Sequence, residues 1–247
     1  MTLRLAGLFA DAKILWQRER TLVLPVAGMF FLLPSLGLLL LLAQGAPQIE
    51  SLSDQAALLA FYRKFVEANV VPLMLAYLAV DYGIFALFNL YLRGGGQTLG
   101  QVLGETLRRL FPFLAIEVAV SLGFQLGFSL FIAPGLFLFA RTWLVAPAYA
   151  ARPGAGLIEA FKQGWLRSGG MTWLLFLLVA AMVFAGGIGA MAVASIVTGL
   201  IATALGGGVV PEFLGYLLLS AIGAVVWTAL VILRVAAYRA TEPSRGM

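Results

Sequence analysis

The sequence predicts an all-α fold of the membrane class: a polytopic helical bundle of six transmembrane helices with about three interfacial amphipathic helices and both termini in the cytoplasm. Three observations carry this reading. Between Leu22 and Ala236 one long apolar run follows another, with the charges gathered in the gaps. The chain is 62% hydrophobic and 11% charged with a mean hydropathy of +1.00, where soluble domains hold about 45–50% apolar and about 25% charged residues. The cations lie almost wholly on alternate loops.

The N-terminal residues 1–21 read as an interfacial helix, because Leu5, Leu8, Phe9, Ala12, Leu15 and Trp16 recur at helical spacing with Arg4, Asp11, Lys13 and Arg18 elsewhere on the wheel. A cleaved signal peptide fits less well, since the charged lead-in is long and the apolar run after it exceeds an h-region of about 7–15 residues. The first span, 22–43, has no ionisable group. At about 1.5 Å of rise per residue it crosses a hydrocarbon core of roughly 30 Å. The second span is 70–92. Spans three and four, 110–133 and 134–150, meet at Ile132-Ala133-Pro134-Gly135, a turn short enough for a tight hairpin, with proline opening the second helix where its missing N–H is tolerated. The fifth segment, 171–205, reaches roughly 50 Å as a helix. It is expected to tilt, to extend beyond the bilayer, or to break near Gly186-Gly187-Ile188-Gly189. The sixth is 213–236.

Six crossings put both termini on one side. Arg4, Lys13, Arg18, Arg20, Arg93, Arg108, Arg109, Arg152, Lys162, Arg167, Arg234, Arg239 and Arg245 flank that side, and only Arg63 and Lys64 the other. Cationic loops are retained in the cytoplasm, so that side is inside. Amphipathic stretches precede the first, third and fifth spans, at the N-terminus, at 99–110 and at 157–167. The expected organisation is therefore one membrane domain, 1–247: an interfacial helix at 1–21, a first hairpin at 22–92, an interfacial helix and hairpin at 97–150, another such pair at 155–238, and a short tail at 239–247. An interfacial helix followed by a hairpin is used three times.

Chemistry is scarce. Cysteine and histidine are absent, which removes thiolate nucleophiles, imidazole bases and the commonest transition-metal ligands. No metal, cofactor or nucleic-acid partner is expected, the basic residues being topology markers. The ionisable residues inside the spans are Asp81, Glu117 and Arg141. Charge at bilayer depth costs about 2.5–3.5 kcal/mol on insertion scales, so these residues are candidates for an ion pair or triad, or for the lining of a proton, ion or solute route. Gly123 and Gly127 form a GxxxG, read as helix packing within the monomer rather than a dimer face. The runs Gly94-Gly95-Gly96 and Gly206-Gly207-Gly208 lack the Lys-Ser or Lys-Thr of a phosphate loop and read as connections. Trp16, Tyr62, Tyr91, Trp143, Trp165 and Tyr238 fall near span ends, as an interfacial belt requires.

The stretch Ile132-Ala133-Pro134-Gly135-Leu136-Phe137-Leu138-Phe139-Ala140-Arg141-Thr142-Trp143, closed by Ala146-Pro147-Ala148 and followed by Gly156-Leu157-Ile158-Glu159-Ala160-Phe161-Lys162, resembles a bacterial six-span family. That family includes the YciC-like inner-membrane proteins and the membrane domain attached to some glycerophosphoryl diester phosphodiesterases. The likeness covers 99–178 by residues and the remainder by the pattern of spans. It makes Pro134, Gly135, Arg141, Pro147 and Glu159 matched positions, and departs at Gly164, where the family usually carries serine. No phosphodiesterase domain is expected after Met247, so hydrolase activity is not carried over. The resemblance implies an inner-membrane protein of poorly defined role.

The expected function is that of a non-enzymatic integral inner-membrane protein organising or accompanying an envelope or lipid-handling complex. Its partners are the lipid bilayer and either another membrane protein or copies of itself. A small transporter or channel using Asp81, Glu117 and Arg141 is the alternative, and a lipid-active enzyme the next.

Overall fold

The structure, a computed structural model, describes residues 4–45, 55–93, 96–154, 156–204 and 206–242. Gly94, Gly95, Arg245 and the end of the tail lie outside the described residues. Those described form helices and turns with no strand, and six of the helices are long and apolar enough to cross a membrane. In chain order they are α1 (Leu5–Ala27), a π-helical turn (Gly28–Leu32), α2 (Leu33–Gly45), α3 (Gln55–Ala68), α4 (Val70–Arg93), α5 (Leu99–Arg108), α6 (Leu110–Leu130), α7 (Ile132–Thr142), α8 (Val145–Ala151), α9 (Leu157–Arg167), α10 (Thr172–Ala204) and α11 (Val209–Ala240). Met74, Val118, Leu126, Ile188 and Leu200, on three of the six, are each more than half exposed. Hydrocarbon, not water, is the solvent that suits such surfaces.

Two elements differ from the sequence pattern and a third takes one of the courses that pattern left open, each for a local reason. The N-terminal amphipathic stretch is not separate from the first span, because helix runs from Leu5 to Gln44. The intervening Gln17-Arg18-Glu19-Arg20 are all good helix formers. Pro25 withholds an N–H from the Thr21 carbonyl, and the π-helical turn at Gly28 follows. α10 passes through Gly186-Gly187-Ile188-Gly189 without a break. Each glycine costs about 1 kcal/mol of helix propensity, whereas an opened turn in hydrocarbon leaves polar groups unsatisfied at several kcal/mol each. The fourth span, by contrast, is interrupted at Trp143 and Leu144 between α7 and α8. Pro147 has no N–H to give the Trp143 carbonyl four residues back.

Contacts divide the chain into two compact units. The first comprises Met1–Val26, Ile84–Gly186 and Val226–Met247. Its core is built from three helix ends: residues 84–91 of α4, 143–150 around α8, and 230–238 of α11, in which every residue but the half-buried Arg234 is buried. Each is the end of the second helix of one predicted hairpin. They are apolar on all sides, as a helix surrounded by protein must be. Phe85 stacks on Phe113 with ring centroids 4.3 Å apart, and Trp143 meets Phe176 at 5.0 Å. Tyr91, Trp143 and Tyr238 are thus core residues rather than members of an interfacial belt, while Tyr62 and Trp165 stay exposed.

Asn89 is the polar exception in the α4 segment, and its amide donates to the Thr106 hydroxyl of α5 at 3.0 Å. Thr106→Val is expected to cost about 1–3 kcal/mol by stranding that buried donor. The check is thermal unfolding in detergent, where Asn89→Leu added to Thr106→Val restores part of the loss.

Two close approaches need glycine. A Cβ on Gly127 of α6 would lie 3.0 Å from the Gly135 Cα of α7, and one on Gly135 would lie 2.8 Å from the Phe128 backbone. The hairpin therefore closes backbone against backbone at Gly127, while a Cβ on Gly123 meets nothing within 4 Å among the described residues. A Cβ on Gly164 of α9 would lie 2.7 Å from the Val145 Cα of α8. A serine side chain at this position would not fit such packing.

The second unit comprises Ala27–Gly83 and Gly187–Val225. Phe31 of the π-helical turn is fully buried, and a Cβ on Gly83 would come within 2.6 Å of the Phe30 Cβ. Between α10 and α11 a cavity of about 250 Å³ is lined by Thr198, Ile201, Gly207, Val210, Pro211 and Leu214. Its one hydroxyl, on Thr198, is already donated to the Ala194 carbonyl at 2.8 Å.

Candidate functional site

A helix C-terminus leaves four carbonyls without intrahelical donors and carries the negative end of the helix dipole. In the first unit, arginines from other helices meet these ends. Arg109, the C-cap of α5, donates from Nη2 to the Tyr149 carbonyl in α8 at 2.9 Å and lies 4.4 Å from the centre of the Tyr149 ring. Arg167, the last residue of α9, donates to the Tyr238 carbonyl near the end of α11 at 3.0 Å, with its guanidinium 4.0 Å from the ring centre. Arg239 donates to the Tyr91 carbonyl near the end of α4. Each of the three buried helix ends thus presents a tyrosine carbonyl to an arginine. This gives the repeat of elements a chemical counterpart.

Two further arginines bind carbonyls at helix ends. Arg234 donates from Nε to the Trp143 carbonyl at 2.9 Å and lies 5.0 Å from the Phe88 ring centre. That acceptor is the one Pro147 leaves without a helical donor, so Pro147 and this arginine form one device. Arg141 donates from Nη1 to the Ser168 carbonyl at 2.5 Å, and the Ser168 hydroxyl donates back to the Arg141 carbonyl at 2.6 Å. The Trp165 ring lies 4.3 Å from the Arg141 guanidinium. A guanidinium suits this double role, because its plane stacks on aromatic faces while its edge donates.

The carboxylates tie α5 and α9 in. Arg93 at the end of α4 pairs with Glu105 of α5 at 3.0 Å. Arg152, just past α8, approaches Glu159 of α9 at 3.8 Å, and Glu159 also accepts from Gln163 at 2.8 Å. Glu159 thus lies beside a residue just past α8 and one a turn along α9.

Among the predicted site residues, Arg141 and Pro147 belong to this network, and Pro134 and Gly135 shape the α6–α7 turn. Among the described residues no ion pair joins Glu117 to Arg141. The Oε1 of Glu117 is buried without a hydrogen-bond partner. Asp81 is half-buried in the part of α4 that belongs to the second unit. The capping roles of Arg109, Arg167, Arg234 and Arg239 are not apparent from flank charge alone. One signal in the sequence marks part of them: a tyrosine one to three residues before an arginine closes each second span, at Tyr91 and Arg93, Tyr149 and Arg152, and Tyr238 and Arg239.

No cluster of three or more potential metal ligands occurs among the described residues. Six apolar helices define the class, a multi-pass membrane protein. Comparison with protein-family models, with curated proteins and with solved structures finds no match to this chain.

Proposed function

We propose that this chain is a non-enzymatic multi-pass protein of a bacterial inner membrane, both termini cytoplasmic, that organises or accompanies an envelope or lipid-handling complex. The observation that carries the reading is the commitment of arginines to the chain's own carbonyls. Arg109, Arg141, Arg167, Arg234 and Arg239 each fasten one helix end to another. Cations used this way rigidify a scaffold and are not held out to an anionic substrate. The loop asymmetry of Lys and Arg supports the orientation, and the likeness of 99–178 to the YciC-like family supports the compartment. Affinity capture of the full chain from membranes in mild detergent tests the proposal. A second membrane component recovered reproducibly in near-equal amount is the expected result; repeated recovery of the chain alone overturns it.

A transporter or channel is the second reading, favoured by the buried and unpartnered Oε1 of Glu117. It requires ion or proton flux in reconstituted vesicles that Glu117→Gln abolishes while the protein stays folded. The scaffold reading expects no flux from either form.

A further inference from the structure

Helix α3 lies between the first two spans, outside every element that the hydropathy pattern predicts, and not one of its residues is buried. Its wheel nevertheless has two faces. Leu58, Leu59, Phe61, Tyr62, Phe65 and Val66 fall on one side, and Arg63, Lys64 and Glu67 on the other. On the apolar side Leu59 is 71% and Tyr62 65% exposed, and Phe61 and Phe65 stack with ring centroids 6.0 Å apart. On the polar side Arg63 and Glu67 pair at 2.9 Å, one helical turn apart.

Only one residue, Asn69, separates this helix from α4, whose apolar span begins at Val70. The Asn69 amide side chain donates back to the Phe65 carbonyl at 2.9 Å, and Pro72 withholds an N–H from Ala68, so the chain can change direction here. A helix with a charged face cannot follow α4 into hydrocarbon. With its end fixed to the start of a span, its apolar face is held at the level of the headgroups, where aromatic rings are most stable.

We propose that α3 is a membrane-surface helix whose occupant is the lipid headgroup and acyl boundary, on the membrane face opposite the arginine-rich loops. The proposal rests on the six-span reading. Its contribution is a surface anchor on the sparsely charged side, apart from the amphipathic segments on the cation-rich side.

Because the sequence contains no cysteine, single-cysteine forms need no background removal. Leu59→Cys, Tyr62→Cys and Phe65→Cys report the apolar face, and Arg63→Cys, Lys64→Cys and Glu67→Cys the polar face. Each carries an environment-sensitive fluorophore in the full chain reconstituted into phosphatidylcholine and phosphatidylglycerol vesicles. The expected result is blue-shifted emission on the apolar face, with quenching by lipids nitroxide-labelled near the headgroup and loss of quenching by aqueous iodide. The polar face is expected to show the reverse. Iodide access on both faces overturns the proposal, as does an apolar face shielded from iodide and from nitroxide lipids alike, which marks a second protein copy instead. Val118→Cys and Leu126→Cys in α6 serve as controls. If they escape quenching by lipids labelled deep in the chain, the six-span reading itself fails; if they are quenched while α3 is not, only the α3 proposal does.

Discussion

Gly164→Ala is expected to lower the thermal unfolding midpoint in detergent, whereas the same methyl addition at Gly123 is not. The added carbon would sit 2.7 Å from both Cα and N of Val145, backbone atoms that no rotamer change can move aside. Overpacking of a tight contact costs about 1–3 kcal/mol when side chains can adjust, and here α9 as a whole must retreat from α8. That retreat pulls Ser168 and Arg167 from their partners, so loss of the Arg141 and Tyr238 contacts compounds the cost. Gly123→Ala is the contrasting case. Its Cβ meets open space, and replacing a helical glycine by alanine favours the helix by about 1 kcal/mol. A drop in the midpoint for Gly164→Ala, with none for Gly123→Ala, is the predicted pattern. Equal effects would remove the α8–α9 contact from the account, and dissociation of an oligomer by Gly123→Ala would return the GxxxG to an intermolecular role.

Arg141→Ala is expected to cost about 3 kcal/mol, combining about 2 for a hydrogen bond from a charged donor with about 1 for stacking on an aromatic ring. The loss arises because the Ser168 carbonyl and the face of Trp165 lose their partner together. Arg141→Lys discriminates between this geometry and a simple need for charge. An ammonium is a point donor without a stacking plane, so lysine is expected to recover less than half of the stability. Chemical unfolding followed by tryptophan fluorescence reads both variants, with Trp165 and Trp143 as local reporters. Full rescue by lysine would show that charge alone is required there.

Much of the helical plan is legible in the sequence because its causes are local. A run such as 70–92 declares a span by length and polarity, since hydrocarbon demands both apolar side chains and a self-satisfied backbone. Pro134 and Gly135 likewise declare the α6–α7 turn. The interruption at Trp143 is harder to read, because a proline four residues later is compatible with a helix whenever another donor serves the freed carbonyl. That donor, Arg234, lies 91 residues away. Hydropathy also draws boundaries that the helices do not keep. It separates residues 1–21 from the first span although no helix-breaking residue lies between them, and it passes over α3, whose apolar and charged residues average out along the chain while segregating around the helix.

The candidate site divides in the same way. Glu117 and Arg141 stand out as intramembrane charges, yet proximity along facing helices does not choose partners for them. Arg141 selects a carbonyl and an indole, and Glu117 keeps a buried oxygen without a hydrogen-bond partner. By itself the sequence determined the all-helical class, the order of six long apolar segments and the placement of charge between them, because each follows from what a short stretch of chain can expose to lipid. Only the tertiary structure decided that arginines close the ends of other helices, across separations of 27 to 148 residues. A carbonyl in need of a donor looks the same at every helix end, and packing alone brings one guanidinium within reach of it.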